Sequence, residues 1–220
     1  CFAFFHPSMP DEPLIFVEVA LTDVIPGSID AVLSEGRTPL EAHQAKAAVF
    51  YSISNCQKGL TGISFGNLLI KQVVAELSLA CPQIEAFVTL SPIPGLNSWL
   101  NTQAQSDTLG PVARSVLDGT AAPEIIRIIA ARYLLTAKRD GGGPLDPVAR
   151  FHLGNGALIH DIHANADSSP NGSTQSSGAM VNYLYDLAQT ERNHESFATS
   201  GTIAASKSVR ALSTATLTPK

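Results

Sequence analysis

Two side chains stand where chemistry is often done: Ser91 and His152. Ser91 follows the apolar stretch 86–90 and is framed by Pro92, Pro94 and Gly95. A serine just past the C-terminal end of a buried strand is placed to touch a substrate; as a plain turn residue it would have no such role. No G-x-S-x-G elbow surrounds it, so it does not read as a lipase-like nucleophile. His152 lies between a short helix expected over 147–152 and the turn Gly154-Asn155-Gly156. Histidine gives or takes a proton near neutral pH; at a helix C-terminus it also serves simply to meet the dipole. Gly59, Gly62 and Gly66 punctuate the chain ahead of a helix that begins at Gly66. The N-terminus of a helix after a glycine turn offers unpaired N–H groups and a positive dipole end, which suits phosphate. The spacing matches neither a P-loop nor G-x-G-x-x-G, so an ordinary tight turn stays open beside a phosphate cradle. The run His160-Asp161-Ile162-His163 carries metal-ligand residue types. On a strand its two histidines fall on opposite faces, which argues against a metal. Tyr183 and Tyr185 share a face of a strand and read as packing.

The elements that must hold these residues are legible in the pattern. Residues 47–54 and 86–90 are strand-length apolar runs. Between them Leu69, Ile70, Val73, Val74 and Leu77 recur on one helical face, and Pro82 ends the helix. Residues 1–6 and 14–21 predict a hairpin across the proline-rich turn 6–13. Helices are expected over 26–34, 39–46 and 97–100, and from Pro123, where Ile125, Ile126, Ile129, Tyr133 and Leu134 keep helical spacing. Asp146-Pro147 is a cap followed by a first-turn proline. Residues 157–162 and 180–186 read as strands, 203–212 as a closing helix, and the Ser/Gly-rich 168–178 as a mobile loop. Alternating strands and helices give the class α/β (α+β) with a mixed sheet.

Composition narrows the function. The chain has 220 residues, 45% hydrophobic and 15% charged, with a formal charge of −5 and no Lys/Arg run. That is one globular domain and a poor fit to nucleic acid or an anionic membrane. Cys1, Cys56 and Cys81 are odd in number and lack metal-like spacing, which suits a reduced, cytoplasmic setting. No apolar run reaches transmembrane length. The chain opens on Cys1, directly in a strand, so a fragment lacking an earlier element is expected.

Taken together, these segments resemble malonyl-CoA decarboxylase. The resemblance is carried by C-F-A-F-F-H-P-S-M-P-D-E-P-L-I-F-V-E-V-A-L-T at 1–22, V-F-Y-S-I-S at 49–54 and Q-K-G-L-T-G-I-S-F-G-N-L-L-I-K at 57–71. L-S-P-I-P-G at 90–95, W-L at 99–100, D-P-V-A-R-F-H-L-G-N-G-A at 146–157 and M-V-N-Y-L-Y at 180–185 complete it. The resemblance implies a single catalytic domain with a GNAT-like mixed β-sheet flanked by helices, preceded in the family by a helical domain that helps form a homo-oligomer. It implies conversion of malonyl-CoA to acetyl-CoA and CO2 without a metal or organic cofactor. It puts the catalytic serine on Ser91 and the histidine on His152. The CoA-binding loop falls on Thr61, Gly62, Ile63, Ser64, Phe65, Gly66 and Asn67; Ser64 stands where family members often have glutamate. Two other readings use the same CoA site: an acyltransferase with an amine acceptor, and a CoA-binding module without activity.

Overall fold

The computed structural model describes residues 1–36, 38, 40–60 and 66–217, with the backbone alone for 60 and 66–69. Strands β1 (Phe2–His6) and β2 (Met9–Thr22) form the expected antiparallel hairpin. Its turn is tighter than the prolines suggest, because Met9 to Pro13 already belong to β2, where Met9 pairs with His6 and Pro13 with Phe5 and none faces β3. Pro10 and Pro13 are tolerated where a strand has only one neighbour. Residues 26–34 hold a short helix, α1 (Ile29–Leu33), and the described residues of the helix expected over 39–46 form a single 3-10 turn at Ala42–Gln44.

The unit at the centre is β3 (Ala47–Asn55), α2 (Gly66–Ala80) and β4 (Ala86–Thr89), with β3 and β4 parallel. Such a crossover places the N-terminus of the helix at the C-terminal end of both strands. Ala48 and Phe50 face one apolar core, and Ala47 and Val49 the other. Both faces are therefore covered, which is why β3 begins as a continuous apolar run rather than alternating. The larger core is closed by α2, α3 (Leu96–Gln103), α4 (Gly110–Leu117), α5 (Pro123–Thr136) and α6 (Pro147–Gly154). The smaller one lies under α1 and Ala166.

The described sheet has seven strands. β7 (Met180–Leu184) meets β4 and the two-residue β5 (Ser91–Pro92) along one edge and β6 (Leu158–His163) along the other. A register shift between Ile159 and Asp161 breaks the alternation of β6, so Ile159 and Ile162 are both fully buried. The simple two-face argument for His160 and His163 therefore does not hold. His163 is instead tied to Asn182 at 2.5 Å, and Asp161 lies 3.4 Å from Arg127.

Residues 168–178 are not a loop. They contain α7 (Pro170–Ser176), capped by Ser169, whose hydroxyl accepts from the Gly172 N–H at 3.0 Å. The Asn97 amide bonds the carbonyls of Ser173 and Thr174, both at 3.0 Å, and so satisfies the far end. A Ser/Gly-rich composition concealed a Ser-Pro start signal and a partner distant in sequence. Two further helices follow, α8 (Thr190–Ser200) and α9 (Lys207–Thr214). Most of α8 is exposed and polar, and only Thr190 is buried, so it has no apolar stripe to reveal it.

Candidate active site

Ser91 arrives at the site because the chain changes neighbour. The last rung between β3 and β4 is Leu90 N–H to Phe50 C=O at 3.1 Å. Beyond it Ser91 turns to pair with Val181 of β7. Alternation continues across this step: Val88 and Leu90 enter the smaller core, while Thr89 and Ser91 point the other way, towards the helices. β3 does not follow. Its outer half keeps β2 on one edge and has no β4 residue on the other. A cavity of about 480 Å³ opens in that gap. Phe50, Ile53, Val148 and Phe151 form much of its apolar wall, with Tyr51, Ser52 and Asn55 on the strand edge that no described strand pairs and Ser91 and His152 at its base.

His152 is delivered by α6. Asp146 caps that helix through one oxygen, Oδ1, which accepts from the Val148 and Ala149 N–H groups at 2.9 Å each. Its other oxygen, Oδ2, accepts from the Gly95 N–H at 3.3 Å and the Tyr133 hydroxyl at 3.4 Å. One buried carboxylate thus joins the loop after Ser91, the helix before His152 and α5. Burial pushes its pKa up, and the N–H donors hold it back down.

The two candidate residues meet. Ser91 Oγ lies 3.2 Å from His152 Nε2, and both side chains are buried. Ser91 also donates to Thr89 Oγ1 at 2.9 Å. The other ring nitrogen of His152, Nδ1, lies 2.9 Å from the Tyr185 hydroxyl. The imidazole stacks on Tyr183, with ring centroids 4.5 Å apart and planes at 24°. Tyr183 and Tyr185 do pack, as the sequence suggests, but Tyr185 also orients the histidine; nothing in its local sequence marks that role. Burial holds both phenols protonated far above their ordinary range. Thr89 is the other member that sequence reading missed, although its position two residues before Ser91 on a strand was the available signal.

Desolvation lowers the His152 pKa from 6.5 to about 3, so the imidazole is neutral at physiological pH. Between those values the unfolded chain binds a proton that the folded chain does not. Stability contributed by this residue is therefore complete above pH 6.5 and falls on acidification, by up to about 1.4 kcal/mol per pH unit. Asp146, shifted upwards, acts in the opposite sense and is common to wild type and variant. Urea unfolding between pH 7 and 4 is expected to show a steeper loss in the wild type than in His152→Gln; equal slopes would contradict a neutral buried His152.

Gly66 and Asn67 open α2, while Thr61, Gly62, Ile63, Ser64 and Phe65 lie outside the described residues. Among the described residues no group of three or more His, Cys, Asp or Glu is arranged to hold a metal, and no helix is long and apolar enough to cross a membrane.

The profile of the malonyl-CoA decarboxylase C-terminal domain matches residues 1–220. The chain is 37% identical to mitochondrial malonyl-CoA decarboxylase of Mus musculus over 96% of its own length and 50% of that protein. The enzyme of Anser anser anser is 36% identical, with 95% and 48% covered. The chain thus spans about half the length of these curated relatives. Among solved structures, malonyl-CoA decarboxylase from Rhodopseudomonas palustris is 50% identical with a TM-score of 0.88, covering 96% of this chain and 52% of that one. The Agrobacterium vitis enzyme is 46% identical with a TM-score of 0.89, covering 96% and 56%. The GphF GNAT-like decarboxylase, 21% identical with a TM-score of 0.52 over 84% of this chain and 76% of its own, shares the fold. The mixed sheet flanked by helices is GNAT-like, and the chain belongs to the malonyl-CoA decarboxylase family, matching its C-terminal domain.

Proposed function

We propose that this chain is the catalytic domain of a carboxy-lyase that converts malonyl-CoA to acetyl-CoA and CO2. The observation that carries the reading is the Ser91–His152 contact at the base of a substrate-sized pocket, in a chain of this family. The electron pair of the breaking C–C bond moves into the thioester carbonyl, leaving CO2 and the enolate of an acetyl thioester. One proton, drawn from solvent through the site, then adds to carbon. The carbonyl is itself the electron sink, so the reaction needs neither a metal nor an organic cofactor.

The chain supplies three things to this chemistry. The outer edge of β3, which pairs with no other strand among the described residues, offers backbone groups to an extended, amide-bearing arm such as that of CoA. The N-terminus of α2 lies at the same end of the sheet, and with Thr61 to Asn67 it is proposed to hold the pyrophosphate. Ser91 contacts the malonyl carboxylate or relays a proton, and His152 donates the proton to the enolate carbon. A bound carboxylate beside His152 raises its pKa, because an opposite charge favours the protonated ring. The substrate thereby helps to charge its own proton donor. Apolar walls strip water from the carboxylate, whose charge disappears in CO2.

Three unpaired thiols, two of them exposed, favour a reducing compartment such as the cytoplasm. A helical portion of the full-length protein, of the kind the resemblance implies, is proposed to assemble a homo-oligomer. The test is to incubate full-length protein with malonyl-CoA and, in parallel, with acetyl-CoA plus amines. CO2 and acetyl-CoA from the first, with no acylated amine from the second, is the expected result. Acylated amine would make it a transferase, and malonyl-CoA bound without CO2 release a binding module.

A further inference from the structure

The ladder between β4/β5 and β7 is interrupted beside the site. β4 reaches β7 through Val88 and Leu184, and β5 reaches it through Ser91 and Val181. Asn182 and Tyr183 lie opposite the gap, where side chains take over from the backbone. Thr89 Oγ1 accepts from the Tyr183 N–H at 3.2 Å, and the Thr89 carbonyl accepts from Asn182 Nδ2 at 2.9 Å. The Thr89 hydroxyl oxygen has a second contact, because Ser91 donates to it at 2.9 Å.

That donation has a consequence for the histidine. A hydroxyl carries one hydrogen. With its hydrogen given to Thr89, Ser91 Oγ can only accept at its 3.2 Å contact with His152 Nε2. Nε2 must then carry the hydrogen. A neutral imidazole has one N–H, so Nδ1 is bare and accepts from the Tyr185 hydroxyl at 2.9 Å. The bonds run in one direction: Tyr185 to His152, His152 to Ser91, Ser91 to Thr89.

We propose that Thr89 is a positioning residue: by taking the hydrogen of Ser91 it fixes His152 as the Nε2–H tautomer, with that N–H directed to the base of the pocket. The role in catalysis rests on the decarboxylase reading, while the tautomer does not. When a bound carboxylate charges the ring, the second proton adds at Nδ1; the Nε2 hydrogen already facing the pocket passes to the enolate carbon and leaves a neutral Nδ1–H ring. Thr89→Val keeps the shape and removes the acceptor, so the Ser91 hydroxyl turns to Nε2 and favours hydrogen on Nδ1. Thr89→Ser keeps the acceptor.

The experiment is nitrogen NMR of histidine-labelled full-length protein without ligand, with His152 assigned by its absence in His152→Gln. Wild type and Thr89→Ser are expected to carry the hydrogen on Nε2, and Thr89→Val mainly on Nδ1. With malonyl-CoA, Thr89→Val should lose about ten- to a hundredfold in kcat at little-changed KM, and Thr89→Ser should restore it. Hydrogen on Nδ1 in the wild type, or an unchanged tautomer in Thr89→Val, overturns the proposal. If Thr89→Val does not fold, the wild-type tautomer decides alone. If the tautomers behave as expected but no protein releases CO2, the decarboxylase reading fails and the placement of the hydrogen stands.

Discussion

Ser91→Ala is expected to bind malonyl-CoA and to release CO2 about 10²–10⁴-fold more slowly than the wild type. Binding should survive because most of the substrate lies elsewhere. In the proposed pose the long CoA arm runs along the outer edge of β3 to the start of α2, while Ser91 meets only the acyl end. The rate should fall for two reasons that act together. The substitution removes the hydroxyl that faces the malonyl group, and it removes the acceptor 3.2 Å from His152 Nε2. With no acceptor there, the imidazole loses one of its two polar contacts and keeps Tyr185, the stacking on Tyr183 and the edge contact with Phe151. Measured kcat and KM separate the effects, since a loss confined to KM would mean that Ser91 only binds. A Ser91→Ala protein with wild-type kcat would remove the serine from the mechanism.

Gly95→Ala is expected to damage both stability and turnover. Gly95 has ordinary right-handed backbone angles, φ −91° and ψ −5°, and sits immediately before α3. On conformation alone, alanine there should be neutral or slightly stabilising. Sterics reverse the sign. A Cβ on Gly95 would overlap the Tyr133 hydroxyl and come within 3.5 Å of Asp146 Oδ2. Tyr133 is almost wholly buried and bonded to Asp146, so it cannot swing away without cost. Overpacking of this kind costs about 1–3 kcal/mol. The strain also falls on the bonds that tie the Ser91 loop to the His152 helix, and a shift of about 1 Å there can cost on the order of a hundredfold in rate. Thermal or urea unfolding measures the first effect and malonyl-CoA turnover the second. Adding Tyr133→Phe should recover part of the stability, because it removes the overlapping oxygen; strict additivity of the two substitutions would argue against the clash.

Much of the scaffold was legible because its signals are local. The β3–α2–β4 unit shows in two strand-length apolar runs around a helical stripe. Asp146-Pro147 announces the helix that carries His152, and the structure adds that the same carboxylate holds Gly95. What stayed hidden depends on contacts between distant residues. Nothing local joins Ser91 to His152, which lie 61 positions apart; only the family resemblance paired them. β5 is two residues long, and its importance lies in leaving β3 for β7, which no propensity encodes. Tyr185 looked like packing because its hydroxyl partner comes from another element. α7 was masked by composition and is completed by Asn97.

The most direct measurement is a paired one on His152→Gln in the full-length protein: malonyl-CoA affinity by calorimetry and single-turnover CO2 release on the same preparation. Glutamine keeps a polar side chain in the buried site but cannot supply the imidazole proton. The predicted result is affinity close to that of the wild type with CO2 release slowed at least about a hundredfold. CO2 release at the wild-type rate, with the substrate bound equally well, would contradict a Ser91–His152 decarboxylation site.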